Sequence, residues 1–218
     1  MPGIKGDVSV IEPSRAEATL ARRSAETRAT VPDLEFSAEA DVSAVASAGG
    51  VTPALMIHAC ALALRAVPRA NAAYRDGRFE LYSRVNVGIA LNTAEAIVIP
   101  TVFDADQKPP SQLEAELLGL RERASSGQLT ASELSGATFT LYEMSELGVR
   151  SATPLVIAPQ AAAIASGAVR ELPRIKDGAI VAAATMTLTL ACDGRIMHGA
   201  HAARFLDAVR VNLEQAEL

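Results

Sequence analysis

The stretch "VTPALMIHACALALRAV", residues 51–67, is apolar around its whole circumference if helical, yet it is only one helix long. Crossing a bilayer takes about 20 apolar residues. A helix that is apolar on every side and too short to span a membrane has to be buried inside a folded domain. Its ends are marked as well: Thr52 is placed to cap a helix starting at Pro53, and Pro68 stops it. The chain therefore has to supply further layers that cover this helix.

The flanking sequence provides them. Ser14 with Glu17 has capping-box spacing and predicts a helix over residues 15–28, ended by Pro32. "LEFSAEADV" alternates as a half-buried strand does. "RFELYSRVNVGIALNT", introduced by the turn signal Asp76-Gly77, and "AIVIPTVF" read as two strands. "SQLEAELLGLRERASSGQLTASEL" reads as a helix that breaks near Gly127 before a capped turn. "ATFTLYEM", "PLVIAPQAAAIASGAV" and "AIVAAATMTLTLAC" add strands, and residues 200–213 form a last amphipathic helix. Helices alternating irregularly with roughly six strands predict an α/β sandwich, a mixed sheet covered by helices. With 218 residues and no internal repeat or linker, one domain over residues 1–218 is expected.

Several function classes lack support. A net charge of -5 provides no clustered cationic footprint for nucleic acid. No window is long and apolar enough for a membrane span, and no secretory leader is visible, so a cytoplasmic location is expected. Cys60 and Cys192 lie in apolar runs without metal or redox spacing and read as buried free thiols. There is no G-x-G-x-x-G, P-loop or G-x-S-x-G motif. Proton transfer is what remains, and "ACDGRIMHGAHAARF" (191–205) holds two of the three histidines. His58 reads as a core or interface residue and His201 as a surface residue in a first helical turn. His198, beside Gly199 between a strand and a helix, is either a turn residue or a general base. His198 and His201 have no third soft ligand nearby, so no metal site is expected. Asp193 is placed to orient a histidine or to pair with Arg195.

"TMTLTLACDGRIMHGAHAARFL" resembles the active-site stretch of the catalytic domain of 2-oxoacid dehydrogenase acyltransferases, the dihydrolipoamide acyltransferase family. "ARRSAETRATVPDLEFSAEADVSAV", "VNVGIALNTAEAIVIPTVFDAD" and "GATFTLYEMSELGVRSATPLVIAPQAA" resemble it in the same order, so the likeness covers residues 12–214. It implies a chloramphenicol acetyltransferase-like two-layer fold and a homotrimer with acyl-transfer sites between subunits. Acetyl-CoA or another acyl-CoA would be the cosubstrate, with no bound prosthetic group and no metal.

The family's "DHRxxDGA" places its basic histidine where this chain has Gly194, and its supporting aspartate where this chain has His198. Its "FTISNLG" serine, the oxyanion donor, is replaced by Tyr142, with Glu143 beside it. The resemblance thus assigns His198, Tyr142, Asp193 and Glu143 to catalysis, and Arg195, Gly199 and Ser145 to CoA contacts. The chain has no lipoyl or peripheral-subunit-binding segment, which implies a stand-alone member resembling the natural-product O-acyltransferases that act on tetronates and other small hydroxyl acceptors. Two other readings stay open: an inactive trimeric scaffold, and changed chemistry such as a lyase or cyclase in the same channel.

Overall fold

The computed structural model describes Ile4 and residues 6–93 and 96–216; the irregular start expected before Pro13 therefore lies partly outside the described residues. The chain runs α1 (Arg15–Thr30), β1 (Asp33–Asp41), α2 (Ser43–Ala48), α3 (Pro53–Ala66), β2 (Ala72–Arg75), β3 (Arg78–Leu81), β4 (Val87–Ile89), β5 (Leu91–Asn92), β6 (Ile97–Val98) and β7 (Thr101–Val102). It continues through α4 (Pro110–Ser125), β8 (Phe139–Glu143), β9 (Ala162–Ser166), β10 (Arg170–Lys176), β11 (Ala179–Asp193) and α5 (Gly199–Glu214).

Local chemistry sets the ends of these elements. At α1 the Ser14 hydroxyl accepts from the Glu17 N–H at 3.2 Å, while the Ser14 N–H donates to the Glu17 carboxylate at 2.7 Å. This reciprocal capping box satisfies two N–H groups that the helix itself cannot. Thr52 caps α3, accepting from the Leu55 N–H at 3.2 Å, with Pro53 in the first turn. Asp76 and Gly77, at φ 47° and 75°, form the tight turn joining β2 to β3.

A seven-stranded mixed sheet, in the order β1-β11-β9-β8-β4-β7 with β10 also on β11, is the scaffold of the described residues. β4, β8 and β9 run parallel, and the outer pairings are antiparallel. Strand periodicity splits the side chains between two faces. Phe139, Leu141, Ile164, Leu188 and Leu190 face the main core with α3, α4 and α5. The rings of Phe139 and Phe205 meet edge to face at 5.4 Å, fastening α5 to the centre of the sheet. Tyr142, Ala163, Ala165 and Ala191 occupy the opposite face under the segment that includes Leu155 and Val156. The result is the expected two-layer α/β sandwich.

The sequence expectations differ from the structure where single runs break. Residues 78–93 supply β3, β4 and β5 instead of one strand, and 96–103 supply β6 and β7 on either side of Ile99-Pro100. Of residues 154–169 only β9 is strand. β2 and β10 were not anticipated. Cys60 and Cys192 are buried free thiols, both pushed up to about 12 chiefly by burial. Among the described residues no helix is long and apolar enough to cross a membrane.

Candidate functional site

The turn between β11 and α5 is built around Asp193, which is 2% exposed. Its backbone carbonyl accepts from the N–H groups of Ile196 and Met197, and its carboxylate accepts the Arg195 N–H at 3.0 Å. The Arg195 guanidinium closes over the same carboxylate, with Nε 2.9 Å from Oδ1 and Nη2 2.6 Å from Oδ2. Asp193 thereby holds Arg195 further above its ordinary range. Of the two roles left open for Asp193, pairing with Arg195 is the one realised.

Hairpin β2–β3 braces this turn from outside. The Arg195 guanidinium lies over the Tyr74 ring at 4.4 Å, and Arg69 lies over Phe79 at 4.9 Å. Arg69 also donates Nη1 to the Ile196 carbonyl at 3.2 Å. Ile196 and Met197 are fully buried, so the turn is pinned from both sides.

His198 takes the N-cap position of α5 and is exposed, and its side chain makes no cap hydrogen bond. The rings of His198 and His201 stand 4.9 Å apart and nearly perpendicular. His201 is half-buried, and its Nδ1 is buried without a hydrogen-bond partner among the described residues. Burial, together with the charges of Arg69, His198 and Arg204, lowers its pKa below the usual histidine value. Gly199 opens α5 at φ 28° on the exposed surface. His58, in α3, points Nδ1 at the Lys108 carbonyl at 3.2 Å.

Gly194 has no room for a side chain. A Cβ there would sit 2.9 Å from the Pro32 carbonyl oxygen and 3.2 Å from Leu34 Cγ. The Gly194 N–H donates to that same carbonyl at 2.9 Å, which draws the start of β1 against the turn.

The second half of the expected site lies at the end of β8. Tyr142 is 8% exposed, shares its apolar cluster with Ala191, and donates its hydroxyl to the Leu155 carbonyl at 3.1 Å. Burial pushes its pKa up to about 12, so the phenol stays protonated at neutral pH. Glu143, the next residue along the strand, points to the other face and accepts the Ser145 N–H at 2.8 Å. The structure therefore puts Tyr142 and Asp193 on one face and separates Glu143 from them.

Sequence motifs gave no sign of a groove beneath α1. Three cavities of about 440, 260 and 460 Å³ follow one another there. The first two share Arg23, Ile99, Leu134 and Ile157, and the last two share Gly136, Ala137, Pro159 and Gln160. Arg15, Arg22, Arg23, Arg75 and Arg84 stand along it. Thr140, two residues before Tyr142 on the same face, lines the middle cavity and donates to Gln160 Oε1 at 2.7 Å. Ile99 belongs both to the groove and to the apolar cluster around Tyr142. Arg195, Gly199 and Ser145 do not line it. Among the described residues there is no group of three or more metal-ligating side chains.

The catalytic domain of 2-oxoacid dehydrogenases acyltransferases, as a family model, matches residues 7–218. The succinyltransferase component of the 2-oxoglutarate dehydrogenase complex from Bartonella vinsonii subsp. berkhoffii is 36% identical over 156 residues, 71% of this chain and 38% of that protein. The acetyltransferase component of the pyruvate dehydrogenase complex from Rickettsia bellii is 29% identical over 91% of this chain and 51% of that protein. The chain thus spans about two-fifths to half of these relatives.

Among solved structures, the dihydrolipoamide acetyltransferase of Azotobacter vinelandii superposes with a TM-score of 0.92 at 27% identity, covering 98% of this chain and 94% of that one. In that enzyme a serine, a histidine and an asparagine were studied for their role in the catalytic mechanism. A chloramphenicol acetyltransferase, 14% identical with a TM-score of 0.53 over 95% of this chain and 99% of that one, shares the fold. With a family match that runs from residue 7 to the last residue, the chain belongs to the 2-oxoacid dehydrogenase acyltransferase catalytic-domain family.

Proposed function

We propose that the protein transfers an acyl group from a CoA thioester to the hydroxyl of a small molecule, working as a homotrimer whose sites are completed between subunits. The groove beneath α1 carries this reading. It is long and partly apolar, and it touches the Tyr142 cluster through Ile99. It carries five arginines, of which Arg22, Arg75 and Arg84 are paired with carboxylates and Arg15 and Arg23 have no carboxylate partner among the described residues. That suits an extended thioester arm, with Arg15 and Arg23 available to its phosphates. The CoA contacts are accordingly assigned to Arg22, Arg23 and Gln160, in place of Arg195, Gly199 and Ser145.

His198 is the base. It takes the acceptor hydroxyl proton as the oxygen attacks the thioester carbonyl. The tetrahedral intermediate then collapses, the carbon–sulfur bond breaks, and the departing thiolate receives the proton back from His198. Asp193 has both carboxylate oxygens on Arg195, so it holds the turn and leaves the imidazole free. Tyr142, kept neutral by burial, donates to the oxyanion by exchanging its bond to the Leu155 carbonyl. Glu143 takes no part, because it faces the other side of the sheet.

Trimer formation is supported by the arm formed by β10 and the first half of β11. The two strands pair with each other from residue 170 to 185. Ile175 and Ile180, opposite each other in register, are 79% and 80% exposed. A two-stranded ribbon of this kind is marginal alone in water and gains from a partner surface.

The test is incubation with acetyl-CoA and a panel of hydroxyl acceptors, following thiol release and product mass. His198→Ala should lower kcat by about 10²–10⁴-fold, and Arg23→Glu should raise KM for acetyl-CoA. Full activity in His198→Ala rejects the base assignment. Absence of CoA binding in the parent would favour a trimeric scaffold, a reading supported by the closed space at Gly194 and the engaged Tyr142 hydroxyl.

A further inference from the structure

Two arginines and two histidines meet at the start of α5 without an answering carboxylate. His198, His201 and Arg204 follow one another at spacings of three, so they share one stripe of the helix. The first turn of α5 contains no acidic residue, and the cap position makes no side-chain bond to the first N–H groups. From outside the helix comes Arg69, fixed by its stack on Phe79 and its bond to the Ile196 carbonyl. Asp193 is used up by Arg195, and Asp207, further along α5, by Arg210. Among the described residues neither Arg69 nor Arg204 has a carboxylate partner. The His201 Nδ1 in their midst is buried and unbonded.

Two guanidinium groups near one helix start, one of them fixed, repel each other and the helix dipole, and an anion would relieve that. The Arg69 guanidinium, held by its stack on Phe79, is also pre-organised for a planar or tetrahedral oxyanion ligand. We propose that His198, His201, Arg204 and Arg69 frame an anion-binding subsite, and that the acyl acceptor carries its carboxylate or phosphate group there. The second half rests on the acyl-transfer reading above. In that reading His201, Arg204 and Arg69 hold the anionic group and so bring the acceptor hydroxyl to His198. Burial is the main reason that the His201 pKa is lowered, and the charges of Arg69, His198 and Arg204 add to it; a bound anion would offset those charges, so anion binding should raise it.

The chain has three histidines, which makes their ring signals a direct readout by NMR. Inorganic phosphate and succinate would be titrated separately into the full chain at constant ionic strength. Saturable movement of the His198 and His201 signals is expected, with a higher titration midpoint for His201, while the His58 signal stays still. The tighter of the two probes identifies the phosphate or carboxylate preference. Arg204→Gln and Arg69→Gln should each weaken binding at least tenfold; Arg204, being exposed, can be changed without touching the braced turn.

A second arm compares acyl transfer to a carboxylate-bearing alcohol and to its neutral amide. The acid should have a KM at least tenfold lower, and Arg204→Gln should abolish the difference. No saturation, equal movement of His58, or unchanged binding in both arginine variants overturns the subsite. Equal use of acid and amide overturns the acceptor assignment alone. Anion binding without any acyl transfer supports the subsite and overturns the acyl-transfer reading together with the acceptor assignment.

Discussion

At position 194 the chain has space for a hydrogen atom and little more. A Cβ would meet a backbone oxygen at 2.9 Å and the Leu34 side chain at 3.2 Å. The oxygen belongs to Pro32, which also accepts the Gly194 N–H, so it cannot move away without losing that bond. Gly194→Ala should therefore destabilise the protein by about 1–3 kcal/mol, the usual range for overpacking, and urea unfolding would measure it. Stability unchanged within a few tenths of a kcal/mol would show that β1 yields at this point. The turn has no space here for the histidine that the resemblance leads one to expect at this position, and in the proposed reaction the base is His198 instead. His201 adds a pH dependence. Its pKa in the folded state lies below the 6.5 of the free side chain, so the unfolded chain takes up the proton more readily. Its contribution to stability is present above pH 6.5 and is lost as the pH falls through the depressed folded value. His201→Gln should flatten the acid side of a plot of melting temperature against pH, and an unchanged slope would exclude this residue as its source.

At the scale of elements, the β10–β11 arm is the part of the fold that the proposed trimer would use. Replacing Ile175 and Ile180 with Thr removes two exposed apolar side chains from a ribbon outside the main core. The double variant should keep its monomer fold by circular dichroism and shift toward monomer in sedimentation velocity. An unchanged sedimentation coefficient would take the arm out of the interface. The same arm shows what could be read from the sequence and what could not. α1 and α3 were predictable because their caps are local signals, α5 because of its apolar stripe, and β1 because it alternates. β10, "RELPRIK", is charged, contains Pro173 and is mostly exposed, so it has neither period nor burial to announce it; it is a strand because β11 is long enough to pair with it. Residues 78–93 show the opposite case. Their strand-like composition is continuous, but Asn71 accepts the Tyr82 N–H at its backbone carbonyl and donates its side-chain amide to the carbonyls of Tyr82 and Arg84, breaking the run. In the candidate site the turn from Asp193 to Gly199 was visible as one segment. The bracing by Arg69, Tyr74 and Phe79 and the groove beneath α1 arise from residues distant in sequence, which no local motif encodes.

At the scale of the whole molecule, the two proposed chemical halves are built from different segments, and His198 lines none of the three cavities of the groove. His198 is on the exposed start of α5, while the groove beneath α1 touches the Tyr142 cluster through Ile99, with β9 between β8 and β11. Within the proposed trimer each site takes His198 from one subunit and the groove from its neighbour, which is the arrangement cyclic symmetry permits. Two variants deficient in different halves should then rescue one another. His198→Ala and Arg23→Glu subunits, each inactive at a sub-saturating acetyl-CoA concentration, would be dissociated, mixed in equal amounts and reassembled. Random assembly places an intact histidine opposite an intact groove in about a quarter of the sites, so thiol release should return to about a quarter of the parent rate. Sites contained within one subunit would give no recovery, because every subunit in the mixture carries one defect. The mixing experiment thus separates a shared site from a self-contained one without needing the identity of the physiological acceptor, since any hydroxyl substrate turned over by the parent serves as the reporter.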